Sequence, residues 1–317
     1  MNLVTTNELT NSLGVTPQRI ASLAKHLNIP NEDTEIKGRS KFYKPSAVKM
    51  ILQHRGIKYD TREVISFCNN KGGVGKTSLA INTAMRLSSL GFKVLLIDAD
   101  PQGNASSFLL QGHKYEKTIF NLITENLPIQ KAIIGLSDYL HFIPSNLMVG
   151  NSDPHIATKQ INQRTFFQNM LKGLDYNYII WDLSPSMSQL NFLALLSCTQ
   201  INIVTILSVF SVEGLEMTFE VIKKAMSNFL DYRPDAKTLI NQFDSRMTSA
   251  LELLSDISEV GLPMFAGVIR TDSNFNKAQT SKTPLPLNSN AAKDINNFVD
   301  EVIGLSALKV KANATVQ

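Results

Sequence analysis

The sequence predicts an α/β protein: a doubly wound, mostly parallel sheet preceded by a small module of helix-turn-helix type. Three observations carry this. Short apolar runs alternate with helically spaced segments from residue 64 to residue 304, as strands joined by crossover helices do. A glycine-rich loop, Asn69 to Thr77, stands between one such run and one such helix. The first 62 residues also differ in charge, with ten Lys or Arg against five Asp or Glu, where the remainder has 21 against 22.

In the front module, Thr6 to Leu13 has the spacing of a short helix and Gly14-Val15-Thr16 that of a tight turn. Pro17 to Leu27 then reads as a second helix, with Thr16 as N-cap and Pro17 at the first helical position. Leu9, Leu13, Val15, Ile20, Leu23 and Leu27 form an apolar seam, which leaves Gln18, Arg19, Ser22, Lys25 and His26 outward. Ile36 to Tyr43, carrying Lys37, Arg39 and Lys41, suits a basic hairpin, and Lys44-Pro45-Ser46 leads into a third helix. A polar, basic helix beside a basic hairpin is suited to reading duplex DNA, with a plain helical interaction module as the competing reading. Residues 3 to about 55 resemble MerR-like winged-helix domains. The polar stretch 56–62 sets a boundary near 59, giving a winged helix-turn-helix domain over 1–59 and a larger domain over 60–317.

Through the larger domain the candidate strands are 64–68, 94–98, 140–143, 178–182, 201–207, 237–241 and 266–269. Helices fall near 77–90, 163–174, 188–198, 212–229, 248–260 and 291–304. Ligands of such sheets sit beyond the carboxyl ends of the strands. Asn69 to Lys76, Asp98 to Gln102 and Asp182 to Pro185 all lie at those ends, so they are able to converge on one site.

The loop Lys71-Gly72-Gly73-Val74-Gly75-Lys76-Thr77 has the composition of a phosphate cradle. Glycines let the backbone turn its N–H groups toward phosphate oxygens, and the helix opening at Lys76 adds its positive end. Lys76 would reach the β- and γ-phosphates, Thr77 would offer its hydroxyl to Mg²⁺, and Ser78 would bond the α-phosphate. Asp182 ends an apolar strand, where a carboxylate has little reason to sit unless a positive group meets it. Asp98 and Asp100 stand two apart at another strand end.

Lys71 is one lysine more than such a loop needs, and Lys-Gly-Gly-Val-Gly-Lys-Thr resembles the deviant Walker A loop of the ParA/MinD family of P-loop NTPases. Val94 to Asn104 is similar to the second signature of that family, Tyr178 to Asp182 to its Walker B strand, and further matches at 210–215, 241–244 and 269–272 extend the resemblance over roughly 63–305. The resemblance implies an ATPase with ATP and Mg²⁺. It implies that Asp182 holds the metal through water, that Asp100 orients the attacking water, and that Asp98 supports the metal shell or the loop. Lys71 would act on the phosphates of a partner in a nucleotide-sandwich homodimer, and Asn241 would contact adenine. Arg246 and Arg270 would belong to a surface that binds DNA without sequence preference. Leu183-Ser184-Pro185 departs from the two prolines that often follow the Walker B strand, which affects the stiffness expected there.

Two cysteines, Cys68 and Cys198, fall in predicted core elements and read as reduced packing residues rather than metal ligands. No apolar run reaches the ~18 residues that span a bilayer, and the polar start is unlike a secretory signal. A cytoplasmic protein without a membrane partner is therefore expected, and the resemblance implies that it associates with the nucleoid. Its function would be ParA-type partition: ATP-dependent dimers on DNA, hydrolysis stimulated by a centromere-binding ParB-like protein, and autorepression through residues 1–59. The alternatives are a MinD-like membrane-positioning ATPase, with 291–308 as an amphipathic anchor, and an ATP-switched transcription regulator. The tail 309–317 is expected to fray.

Overall fold

The computed structural model describes residues 3–159, 161–186, 188–261 and 263–306. Strand β1 (Val4–Thr5) runs into helix α1 (Thr6–Leu13). Thr5 and Glu8 close a capping box there: the Thr5 hydroxyl accepts from the Glu8 N–H at 3.1 Å, and Glu8 Oε2 accepts from the Thr5 N–H at 2.9 Å. Gly14 ends α1 at φ 63°, and α2 (Pro17–His26) starts behind Thr16, whose side chain accepts from the Arg19 N–H. Next come β2 (Thr34–Lys37), β3 (Ser40–Tyr43) and α3 (Pro45–His54), with the three strands paired antiparallel in the order β1-β3-β2.

The larger sheet begins with β4 (Glu63–Cys68), which feeds the glycine loop and α4 (Lys76–Ser89). After β5 (Val94–Asp98) come α5 (Asn104–Leu110), α6 (Ile119–Thr124), β6 (Ile134–Gly135) and β7 (Leu140–Ile143). Then follow α7 (Ser152–Thr158), α8 (Phe166–Leu171), β8 (Tyr178–Asp182), α9 (Gln189–Leu196), β9 (Gln200–Ile206), α10 (Val209–Asn228) and β10 (Asp235–Asn241). The chain closes with α11 (Ala250–Glu259), α12 (Ser273–Ser281) and α13 (Asn290–Val302). The strand order is β10-β9-β4-β8-β5-β7-β6, parallel except for the β6–β7 pair. Every residue of β5 and of β8 is buried, as strands covered on both faces require.

One apolar cluster packs α4 and α13 against one face of the sheet, and a second packs α6 to α11 against the other. The first cluster runs without a break into the front module, through Val4, Leu9, Leu13, Ile51 and Leu52.

The expected strand over 266–269 is not one. Isolated bridges flank it, Thr238 with Met264 and Phe243 with Arg270; within it the Ile269 N–H donates to the Ile240 carbonyl of β10, but the Ala266 N–H turns to the Glu301 carboxylate instead of the neighbouring strand. The seventh strand is β6 instead, a two-residue antiparallel edge. Helices α5, α6, α7 and α12 were not anticipated; each has nine residues or fewer, too short for a periodic signal. The helix expected over 163–174 is confined to Phe166–Leu171. The tail 309–317 lies outside the described residues.

Candidate nucleotide site

The loop after β4 is held from both sides. Asn69, buried at its entry, donates from Nδ2 to the Val204 carbonyl at 2.7 Å and accepts the Lys71 N–H at 3.0 Å, which ties the loop to β9. At its far side, Asn241 Nδ2 donates to the Val74 carbonyl at 2.7 Å and Gln242 Nε2 to the Gly73 carbonyl at 3.0 Å. Two loop carbonyls are thus engaged from outside. Gly75 stands at φ 92°, and a Cβ there would run into the Asn241 amide, so this position excludes a side chain on two grounds. The Val74 side chain is buried in the core and does not line the cleft.

Lys76 opens α4 and is 6% exposed, with Nζ donating to the Lys71 carbonyl at 3.0 Å. Burial lowers its pKa, and the nearby Asp182 opposes that shift. Thr77 donates from Oγ1 to Asp182 Oδ1 at 3.2 Å, while Asp182 Oδ2 has no hydrogen-bond partner among the described residues although Asp182 is fully buried. Burial and then the neighbouring Asp98 push the Asp182 carboxyl well above the usual range. An orphaned carboxylate oxygen beside a threonine hydroxyl fits Mg²⁺, which takes one or two carboxylates and completes its shell with water and phosphate. Among the described residues no group of three or more His, Cys, Asp or Glu forms a cage that would bind a metal without such help.

Asp98, in register with Asp182, is occupied differently. Its Oδ1 accepts the Asp100 N–H at 3.1 Å, and its Oδ2 accepts the Ser106 N–H at 2.9 Å and the Ser106 hydroxyl at 2.8 Å. Burial pushes its pKa up to about 6. These three bonds anchor the Asp100 loop and the first turn of α5. Asp100 itself lines the cleft, with Oδ1 accepting the Gln102 N–H at 2.9 Å and the main chain held by the Ser145 hydroxyl at 2.6 Å.

The cleft holds about 460 Å³ and is walled by Gly72 to Ser78 apart from Val74, by Asp100, Asn241 and Gln242, and by Arg270 to Asp272 with Phe275, Asn276 and Gln279 of α12. Asn241 reaches this wall, but its amide nitrogen is committed to the loop. Lys71 does not line the cleft: its Nζ donates to Ser208 Oγ at 3.1 Å, just before α10. Gln242, Asn276 and Gln279 were missed in the sequence, since single amides at a strand end or on a short helix follow no pattern.

Gln18, Arg19, Ser22 and Lys25 are all exposed on α2, as are Lys37 and Arg39 on the hairpin, while Lys41 is half-buried with Nζ 5.4 Å from the Tyr43 ring. The two core arginines are neutralised. Arg246, 86% exposed, forms a two-bond pair with Asp244 at 2.9 and 2.7 Å. Arg270, 44% exposed, is clamped by Asp294 of α13 at 2.9 and 2.7 Å and lines the nucleotide cleft.

A central parallel sheet with this loop, a metal-competent threonine and aspartate and a cleft at the strand ends defines a P-loop nucleotide-binding fold. The AAA domain family matches residues 62–232. The cell division protein PomZ of Myxococcus xanthus is 31% identical over 247 residues, covering 75% of this chain and 76% of its own. The chromosome partitioning protein ParA of the same organism is 31% identical over 204 residues, 61% of this chain and 70% of that one. Among solved structures, a Borrelia burgdorferi B31 protein assigned to plasmid partition and bound to AMPPNP is 26% identical, with a TM-score of 0.66 over 78% of this chain and 100% of that one. The chain belongs to the ParA/MinD family of P-loop ATPases, the family of partition and positioning ATPases. Among the described residues no helix is long and apolar enough to cross a membrane.

Proposed function

We propose that this chain is a ParA-type partition ATPase that takes ATP with Mg²⁺ in the cleft, dimerises with nucleotide bound, and binds DNA. The loop N–H groups and Lys76 hold the phosphates. Thr77 and Asp182 would hold the metal, which would supply positive charge to neutralise the phosphates. Asp100 orients the attacking water from a loop fixed by Asp98 and Ser145. Hydrolysis is slow until a centromere-binding, ParB-like partner stimulates it.

The observation that carries this reading is the direction of Lys71. An ordinary phosphate loop needs one lysine, and the second one here points out of its own cleft toward Ser208. A cation so placed is available to the phosphates of a second copy, where it would serve as an arginine finger does elsewhere. In this reading Lys71→Ala keeps nucleotide affinity and loses partner-stimulated turnover, whereas Asp100→Ala binds ATP and accumulates as an ATP dimer. A Lys71→Ala homodimer with full stimulated activity would remove the role in trans.

Residues 1–59 would form a winged helix-turn-helix domain that reads an operator with α2 and the β2–β3 hairpin and represses the partition operon. The exposed Gln18, Arg19, Ser22, Lys25, Lys37 and Arg39 support it. Footprinting on the upstream promoter with Arg19→Ala and Lys25→Ala tests it: loss of promoter protection is expected, with sequence-independent, salt-sensitive binding retained. For that second kind of binding Arg246 is the better candidate: both arginines are paired, but Arg246 is 86% exposed with an exposed partner, whereas Arg270 is held by the buried Asp294. A MinD-like anchor is disfavoured by α13, whose Ile295, Phe298 and Val299 are buried against the sheet.

A further inference from the structure

Asp182 is held on its upstream side by the ladders of β8 with β4 and β5, and Leu183 extends the first by one bond, its N–H donating to the Phe67 carbonyl at 3.4 Å. Downstream the support changes in kind. The Ser186 N–H donates to the Ser184 carbonyl at 2.9 Å, which closes a three-residue turn around Pro185, and Pro185 lines the nucleotide cleft. Packing does little to fix this turn. Pro185 and Ser186 are exposed, and Ser184 and Ser186 share a cavity of about 40 Å³ with Asn69 and Asn70 at the loop entry, which leaves the turn room to shift. Pro185 fixes its own φ and narrows the choices of Ser184, but Ser184 is not locked as a second proline would be.

One amide from α9 fastens the turn. Asn191, 5% exposed, donates from Nδ2 to the Ser184 carbonyl and to the Ser186 carbonyl, each at 2.9 Å, with the two serine hydroxyls farther off at 3.1 and 3.3 Å. An amide nitrogen has two N–H groups, so the two nearest acceptors, one at each end of the turn, use both. Asn191 is in turn set by the start of α9. Its main-chain N–H donates to Ser188 Oγ at 3.1 Å, and Asp153 of α7 accepts the Gln189 N–H at 2.9 Å and the Leu190 N–H at 3.2 Å. The turn is thereby tied through α9 to α7.

We infer that Asn191 is a positioning residue for ATP hydrolysis: by fixing the turn 184–186 it holds Asp182 in the orientation that metal binding requires and Pro185 in the cleft wall. This rests on the reading of Asp182 given above. Asn191 does not line the cleft, so it acts through the turn alone. Groups that steady a metal-holding carboxylate from outside contribute ~10- to 100-fold in metal affinity or activity. The amide does with hydrogen bonds what a proline at 184 would do with covalent geometry. Among the described residues the Ser184 N–H donates no main-chain bond, so a proline there would leave no acceptor stranded.

Variants of the full chain separate this role from plain support of α9. Asn191→Ala removes the amide, and Asn191→Leu removes it while filling its volume, so a loss common to both is not the effect of a cavity. Ser188→Ala removes the cap of α9 and leaves the amide. Affinity for a non-hydrolysable ATP analogue is titrated with Mg²⁺, and kcat and KM are measured beside it. Without Mg²⁺, all variants are expected to bind the analogue like the wild type. The Mg²⁺ concentration that gives half of the gain in affinity is expected to rise by ~10-fold in both Asn191 variants, with kcat falling by a similar factor and KM for ATP little changed. Ser188→Ala is expected to lower the melting temperature and to leave the Mg²⁺ response and kcat as they were. Adding Ser184→Pro to either Asn191 variant is expected to restore most of the loss. An unchanged Mg²⁺ response in the Asn191 variants, the same loss in Ser188→Ala, or no recovery with Ser184→Pro overturns the inference and leaves the reading of Asp182 standing. A wild type whose analogue affinity ignores Mg²⁺ overturns both.

Discussion

Lys76 and Arg86 lie ten residues apart on one helix, each 6% exposed, and burial lowers the pKa of both. The fold treats them differently. Arg86 meets the Glu8 carboxylate at 3.1 Å, supplied by a segment 78 residues away, whereas Lys76 rests on a backbone carbonyl of its own loop. A buried cation given a carboxylate is committed to that partner, although Arg86 Nε itself stays unbonded among the described residues, and one left on a carbonyl keeps its charge for a ligand. The same contrast separates two buried carboxylates: Asp98 has both oxygens occupied, and Asp182 has one open.

The largest way to break this comparison is to delete residues 1–59. Deletion strips Arg86 of Glu8 and uncovers the apolar faces of α4 and α13 that meet Leu9, Leu13, Ile51 and Leu52. Breaking a buried pair alone costs about 3–5 kcal/mol, a large part of the ~5–15 kcal/mol that holds a domain. The fragment 60–317 is expected to aggregate or to lack a cooperative thermal transition; a fragment that melts like the full chain would show the joint to be dispensable.

Glu8→Ala isolates the pair. A loss of about 3–5 kcal/mol by denaturant titration is expected, and Glu8→Leu combined with Arg86→Met should recover much of it, because two apolar groups leave no charge stranded. No recovery in the double variant would mean that the Glu8 cap on α1, and not the ion pair, was being measured.

Lys76→Ala should behave in the opposite way. Stability changes little, as no carboxylate is stranded by a hydrogen bond, while ATP affinity in Mg²⁺ falls by ~100-fold, corresponding to ~3 kcal/mol of charge-assisted contact. Equal losses of stability in Lys76→Ala and Glu8→Ala would erase the distinction. The smallest effect is expected at Gln242, whose amide steadies one loop carbonyl: Gln242→Ala should weaken ATP binding by ~5-fold, about 1 kcal/mol, without altering the melting temperature.

The sequence by itself determined the alternation of strands and helices, the loop and the strand-end position of Asp98, Asp100 and Asp182. These rest on local rules: period in the apolar residues, glycine where backbone must turn, and a carboxylate closing an apolar run. Short elements such as α5, α6 and β6 escaped because fewer than two or three turns or residue pairs give no period. Tertiary structure alone decided how each charge is used. Asp98 and Asp182 look alike in sequence and differ because Ser106 reaches one and no group among the described residues bonds the second oxygen of the other. Arg270 reads as an unpaired surface cation, and only the fold shows that Asp294 of α13 holds it at the cleft wall. The front module reads as a separate bead, yet Glu8 and Arg86 join it to the ATPase core, because which partner a buried charge finds depends on segments far apart in the chain that only the packed fold brings within 3 Å or so of each other.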